Sequence, residues 1–330
     1  MEVLGLGLVV ALALAFAVTN GVKDTGNAIA TSVASRALTP LVAVRTATVA
    51  NLVGAFLGLG IVEVLSDEIV AQPTGTGGLV VIGSALAATI VWNLLTWWQG
   101  LPTSSTHAMI GGLVGAALVG GVPVLWERFT VSVLLPLLLS PVVGFLLAYA
   151  VLHLVMRVCR HRRPDRVDRG FRVLQTGSAA TLALGHGLQD APKAMAFMVL
   201  ALEAAGRHSG EQVPFWVAAA AAVALALGTS LGGWRIVRTL GRGLARVDPP
   251  RGFAAESTAA AVLYVGGLGF SMPLSTTHTI AAALTGVGVV RGRHGVRWRV
   301  FNDIAAAWLL TVPATGVMAA LLAWGLGALL

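Results

Sequence analysis

Apolar runs of about 20 residues, long enough to cross a bilayer as helices, recur along the whole chain. They fall at 3–19, 41–62, 79–98, 103–120, 131–157, 173–204, 213–233, 253–271, 274–290 and 301–327. Hydrocarbon offers no hydrogen bonds, so the backbone of such a run must pair with itself as a helix. The expected fold class is therefore an all-α polytopic membrane protein. Composition agrees: of 330 residues, 56% are hydrophobic and 11% charged, against about 25% charged in a soluble domain. The first run lacks a basic leader and follows Glu2, so no cleaved signal peptide is expected. One cysteine, Cys159, rules out an internal disulfide framework.

A net charge of +8 suggests nucleic acid in a soluble protein, but here the basic residues are gathered in loops. Arg157, Arg160, Arg162, Arg163, Arg166, Arg169 and Arg172 form one stretch; Arg235, Arg238, Arg242, Arg246 and Arg251 a second; Arg291, Arg293, Arg297 and Arg299 a third. Arg36 and Arg45 flank a shorter connection, and the loops near 63–78, 121–130 and 205–213 are poor in basic residues. Basic loops stay in the cytoplasm, so the charge reads as a topology signal with no nucleic-acid partner. Threading the runs through this constraint puts both termini outside. It also sends two hairpins, 79–120 and 253–290, into the membrane from opposite sides. That pattern is an inverted-topology repeat: 1–157 and 173–330, joined by the Arg-rich cytoplasmic stretch 158–172.

Each hairpin turns at a polar knot. Pro102, Ser104, Ser105, Thr106 and His107 recur in the same order as Pro273, Ser275, Thr276, Thr277 and His278. Proline followed by hydroxyl residues marks a helix start, with side-chain oxygens capping free N–H groups. A buried helix start carries partial positive charge and unpaired donors, which suits an anion. Two such starts meeting near the midplane would surround a tetrahedral oxyanion with donors. The competing reading is that these hydroxyls bond back to their own helices or pack helices together.

Asp24 and Asp190 lie in apolar segments, where ionised carboxylates are costly and usually functional. Both would repel an anion, so a cation, a proton or a lysine must lie between. Asn20 and Asn27 offer oxygen ligands around Asp24, and Lys193 stands three residues past Asp190, where its ammonium takes the place of a metal ion. A plain structural ion pair is the alternative for Asp190 and Lys193. His186, four residues before Asp190, forms a pair with it able to hold a proton.

The elements "NGVKDTGNAIATSVASRALT", "GLPTSSTHAMIGGLVGA", "GHGLQDAPKAMAFMVLAL" and "GFSMPLSTTHTIAAALTGVG" resemble those of the PiT family of inorganic phosphate transporters, from about residue 16 to 315. The resemblance implies an inner (plasma) membrane phosphate symporter of inverted repeats, commonly dimeric and without a cofactor. Coupling in the family is to sodium, or to protons in many bacterial members that carry phosphate as a metal complex. Carried over, it assigns Ser104, Ser105, Thr106, Ser275, Thr276 and Thr277 to phosphate, and Asp24, Asn27 and Asp190 to cation or proton coupling. This sequence departs from the family at Lys23, at Gln189 before Asp190, at Pro192, and at Lys193, where sodium-coupled members carry asparagine. The lysine resembles proton-coupled members, so a proton is the expected coupling ion, with sodium or a divalent metal as alternatives.

Other readings exist for particular residues. Glu256 either relays protons or snorkels to the cytoplasmic surface. His107 and His278 read as buried histidines bonding a neighbour. For the whole chain, a permease for sulfate or another oxyanion on the same fold is one alternative. Sulfate has no proton to donate to a carboxylate at neutral pH, so Asp24 and Asp190 favour phosphate. An intramembrane hydrolase is a remote one: adjacent Ser and His on a helix start do not form a nucleophile–base pair, and no G-x-S-x-G appears.

Overall fold

A computed structural model describes residues 2–210 and 212–328. These residues form helices joined by short connections: α1 (Glu2–Ala34), α2 (Pro40–Gly54), α3 (Leu59–Asp67), α4 (Gly75–Gln99), α5 (Ser105–Val119) and α6 (Trp126–Cys159). There follow α7 (Pro164–Ala204), α8 (Phe215–Ser230), α9 (Trp234–Leu244), α10 (Pro249–Tyr264), α11 (Thr276–Val289) and α12 (Trp298–Gly327). Among the described residues five helices are long and apolar enough to cross a membrane, or six if the bent pair α8–α9 is one broken span. The chain is an all-α polytopic membrane protein.

Several expected boundaries move. The first helix does not stop near residue 19 but continues through Asp24 and Asn27 to Ala34, because nothing between them breaks helical geometry. The run 41–62 is divided at Gly58 into α2 and α3. Much of the Arg-rich joint is helical, since α7 begins at Pro164, a residue whose fixed φ suits the first helical position. The stretch carrying Arg235, Arg238 and Arg242 is likewise helical, bent by 56° from α8.

Apolar side chains gather into two cores with a polar layer between. On α1, residues up to Ala17 belong to one core and residues from Ala28 to the other. Asn20, Lys23, Asp24 and Asn27 lie buried between them. On α7 the change falls between Ala183 and Leu188.

The helices meet in matched pairs. α1 packs on α8 as α2 packs on α7, and α5 packs on α12 as α11 packs on α6. Glycine permits the closest approaches. A Cβ at Gly228 would sit 2.1 Å from the carbonyl oxygen of Val18, and one at Gly54 2.1 Å from that of Leu184. Small residues letting backbones touch are the usual means of helix association in lipid.

Candidate functional site

Gly100 ends α4 in the left-handed conformation (φ 72°), which glycine adopts without steric cost. The chain then runs without helix through Leu101 to Ser104 before α5 starts. Ser104 is the N-cap, its Oγ accepting from the N–H of His107 at 3.2 Å. The second tip is built alike: Ser275 caps α11, its Oγ accepting from the N–H of His278 at 3.2 Å. So one hydroxyl of each cluster caps its own helix start, as expected of a proline followed by Ser/Thr.

The tips are in contact, and their contacts are reciprocal. Thr106 Oγ1 donates to the carbonyl of Leu274, and Thr277 Oγ1 to the carbonyl of Thr103, both at 3.4 Å. The imidazoles of His107 and His278 stack with centroids 4.4 Å apart, and the Trp308 ring lies 4.0 Å beyond His278. The histidines thus touch through their ring faces, while His107 Nδ1 and His278 Nε2 are buried without a hydrogen-bond partner. Trp308 Nε1 donates to the Pro102 carbonyl at 2.8 Å, tying α12 to the first tip.

Each remaining hydroxyl reaches a carboxylate. Ser105 Oγ donates to Asp24 Oδ2 at 3.0 Å, and Thr276 Oγ1 lies 3.5 Å from Asp190 Oδ1. Asn27 Nδ2 spans Asp24 Oδ1 (3.1 Å) and Thr277 Oγ1 (2.8 Å). Asp190 is the more heavily partnered carboxylate. Lys193 Nζ donates to its Oδ1 at 2.6 Å and to Ser105 Oγ at 2.8 Å. Asn20 Nδ2 donates to its Oδ2 at 3.1 Å, and His186 Nε2 stands 3.0 Å from the same oxygen. All of the eleven residues expected at the site are buried. These contacts join Asp24, Asn27, Ser105, His186, Asp190, Lys193, Thr276 and Thr277 into one polar centre. Ser104 and Ser275 instead cap their own helices, and Thr106 bonds only the facing backbone.

Two features bear on cations. The side-chain oxygens Oδ1 of Asn20 and Asn27 are buried with no donor, a costly state for a carbonyl in a membrane interior. One ligand atom each of Asp24, His186 and Asp190 also lies within 4.8 Å of the others, a donor set suited to a divalent metal.

The sequence reading missed Asn93, which accepts from Lys23 Nζ at 2.9 Å, and Asn51, whose Oδ1 lies 3.2 Å from His186 Nδ1. Their signal was present: each is a lone amide in an apolar run. Gln189 clips the second tip, accepting from the N–H of Leu274 at 2.9 Å. Glu256 does not snorkel. It is fully buried, accepting from Thr31 (2.5 Å), Gln175 (3.0 Å) and Ser178 (2.6 Å).

A polytopic helical bundle with charged side chains buried in a polar layer between its two apolar cores suits a membrane transporter. The comparisons narrow it further. The sequence pattern of the Phosphate transporter family matches residues 20–319, and the chain belongs to that family. A "probable low-affinity inorganic phosphate transporter" of Mycobacterium bovis is 44% identical over 317 residues, covering 95% of this chain and 75% of that one. One of Bacillus subtilis is 38% identical over 316 residues, covering 95% of both. A solved structure, "The sodium-dependent phosphate transporter", superposes with a TM-score of 0.87 over 99% of this chain and 100% of that one, at 23% identity; at that identity it speaks for the fold. The protein moves inorganic phosphate across a membrane.

Proposed function

We propose that the protein is a secondary active symporter that holds inorganic phosphate between the tips of α5 and α11. Ser104, Ser105, Thr106, Ser275, Thr276 and Thr277 are the phosphate-binding residues in this reading, and Asp24, Asn27, Asp190, Lys193 and His186 the coupling residues. One observation carries it: the reciprocal bonds from Thr106 and Thr277 to the facing tip, with Ser105 and Thr276 turned to the two aspartates. Phosphate entering here takes over donors now given to carboxylates. Its own O–H groups then find Asp24 or Asp190 as acceptors, a match that fully ionised sulfate lacks.

The same proposal includes the inverted repeat, 1–157 against 173–330 about the joint 158–172. The paired packing of α1 on α8 with α2 on α7, and the matched glycine approaches of Gly228 and Gly54, support it. With it go cytoplasmic arginine loops, outside termini, a plasma-membrane location and a homodimer.

Two readings of the coupling ion each have an observation behind them. A proton fits Lys193, whose ammonium already fills the place beside Asp190 and Ser105. At an effective dielectric of 20, a second unit charge 4 Å away costs about 4 kcal/mol. Sodium fits the donor-free Oδ1 atoms of Asn20 and Asn27, whose amide nitrogens bond Asp190 and Asp24 respectively. The neighbouring fold is that of a sodium-dependent phosphate transporter, and the comparisons favour this second reading. Uptake of labelled phosphate and sulfate into proteoliposomes, under sodium and proton gradients imposed separately, tests both. Sulfate uptake equal to phosphate uptake would overturn the substrate; uptake driven by one gradient alone selects the ion.

A further inference from the structure

Two of the arginine clusters do more than line the membrane surface. The segment after α9 and the connection between α11 and α12 are stitched together by backbone. Ala245 bridges antiparallel to Val296, and the Arg297 N–H donates to the Leu244 carbonyl at 2.9 Å. The Arg297 guanidinium donates to the carbonyl of Arg242 at 2.9 Å. Gly295 lies so close to α11 that a Cβ there would sit 1.9 Å from the Gly288 carbonyl oxygen. Arg246, Arg251, Arg291, His294 and Arg297 are thereby drawn around one cavity of about 450 Å³.

The charges around it do not balance. Arg251 is only 5% exposed, and among the described residues its one acidic partner is Asp248, which also caps α10 by accepting from the Arg251 N–H at 3.1 Å. Arg291 sets a like charge against the same guanidinium. Like charges held together by backbone repel, and an anion between them relieves the repulsion. Guanidinium forks match phosphate oxygens two at a time, and the cavity is within the usual size of a ligand pocket.

The geometry points to a second anion site in this cavity, separate from the hairpin tips, that binds a phosphate group. The group belongs to free inorganic phosphate or to the headgroup of an acidic phospholipid, the two sources sharing this chemistry. Occupied, the site clamps the 291–297 connection to α9 and α10. It thereby fixes the C-terminal end of α11, the helix that carries Thr276 and Thr277 at its other end.

The test is equilibrium binding of labelled inorganic phosphate to the purified full-length protein in a neutral detergent. A parallel titration uses phosphatidylglycerol, with retained lipid counted by native mass spectrometry. Four proteins are compared: wild type, Arg246→Gln/Arg291→Gln, Arg162→Gln/Arg163→Gln, and Ser105→Ala/Thr276→Ala. Arg246, Arg291, Arg162 and Arg163 are all exposed, so each arginine pair removes two surface charges but only one pair lines the cavity. Should Arg246→Gln/Arg291→Gln fail to fold, Arg246→Gln alone carries the comparison. The expected result is two phosphate sites in wild type, one of them weakened at least tenfold in Arg246→Gln/Arg291→Gln and unchanged in Arg162→Gln/Arg163→Gln. Loss of retained phosphatidylglycerol in the first variant alone, with one phosphate site throughout, assigns the cavity to lipid and upholds the site. If neither probe separates the two arginine variants, the site does not exist. Ser105→Ala/Thr276→Ala addresses the tips independently: its failure to weaken the other phosphate site counts against the tip reading and leaves the cavity untouched.

Discussion

Replacing Lys193 with asparagine separates what this residue does for the fold from what it does for coupling. The Lys193–Asp190 pair is 2.6 Å long, with both side chains almost wholly buried. Truncating one partner of such a pair costs about 3–5 kcal/mol, because the other charge is left in a low dielectric without compensation. Asn20 and His186 remain against Asp190 Oδ2, which argues for the lower end. A sodium ion entering the vacated place recovers part of the loss by mass action, about 2.7 kcal/mol at a concentration one hundred times its Kd. Thermal unfolding of the detergent-purified protein in sodium and in choline reads this directly. Lys193→Asn is expected to unfold several degrees below wild type in choline and to regain more than half of that in sodium. Under the proton reading wild type is indifferent to the exchange; under the sodium reading it gains stability through the Asp24 side. Equal unfolding temperatures of variant and wild type in choline would refute the reasoning, since the buried pair would then contribute nothing.

Ser105→Ala and Thr276→Ala should each weaken phosphate binding by about 1–3 kcal/mol, the cost of a missing buried donor, measured as KM for uptake in proteoliposomes. Unaltered transport in both returns the tips to a packing role. In a Cys159→Ser background, a cysteine in the connection 68–74 between α3 and α4 should react with an impermeant thiol reagent from outside, and one at Arg162 should not; reaction of both from one side removes the inverted arrangement. Gly228→Ala places a methyl 2.1 Å from the Val18 carbonyl, and such overpacking should lower stability by about 1–3 kcal/mol or more, read by thermal unfolding. Gly77→Ala, inside α4 with open space around it, is the control and should not lower stability, with a gain of up to about 1 kcal/mol from helix propensity.

Much of this protein is written locally. The apolar runs dictate helices because hydrocarbon leaves the backbone no other partner. Proline followed by Ser/Thr marks both tips, because those residue types satisfy a helix start. Asp24 and Asp190 stand out as charges where charge is expensive. Boundaries were less legible: α1 passes through its polar motif, and α7 starts inside the arginine stretch. A polar residue does not end a helix when neighbouring helices cover it.

Partners were decided by tertiary structure alone. Nothing near Lys193 in the sequence says that its ammonium also bonds Ser105, or that Lys23 finds Asn93. His107 and His278 face each other only because the two tips meet, and Glu256 stays buried only because Thr31, Gln175 and Ser178 converge on it from two other helices. The physical reason is one of range. Helix formation and capping are settled within a few residues, whereas these bonds join groups far apart in the chain and exist only once the helices have packed.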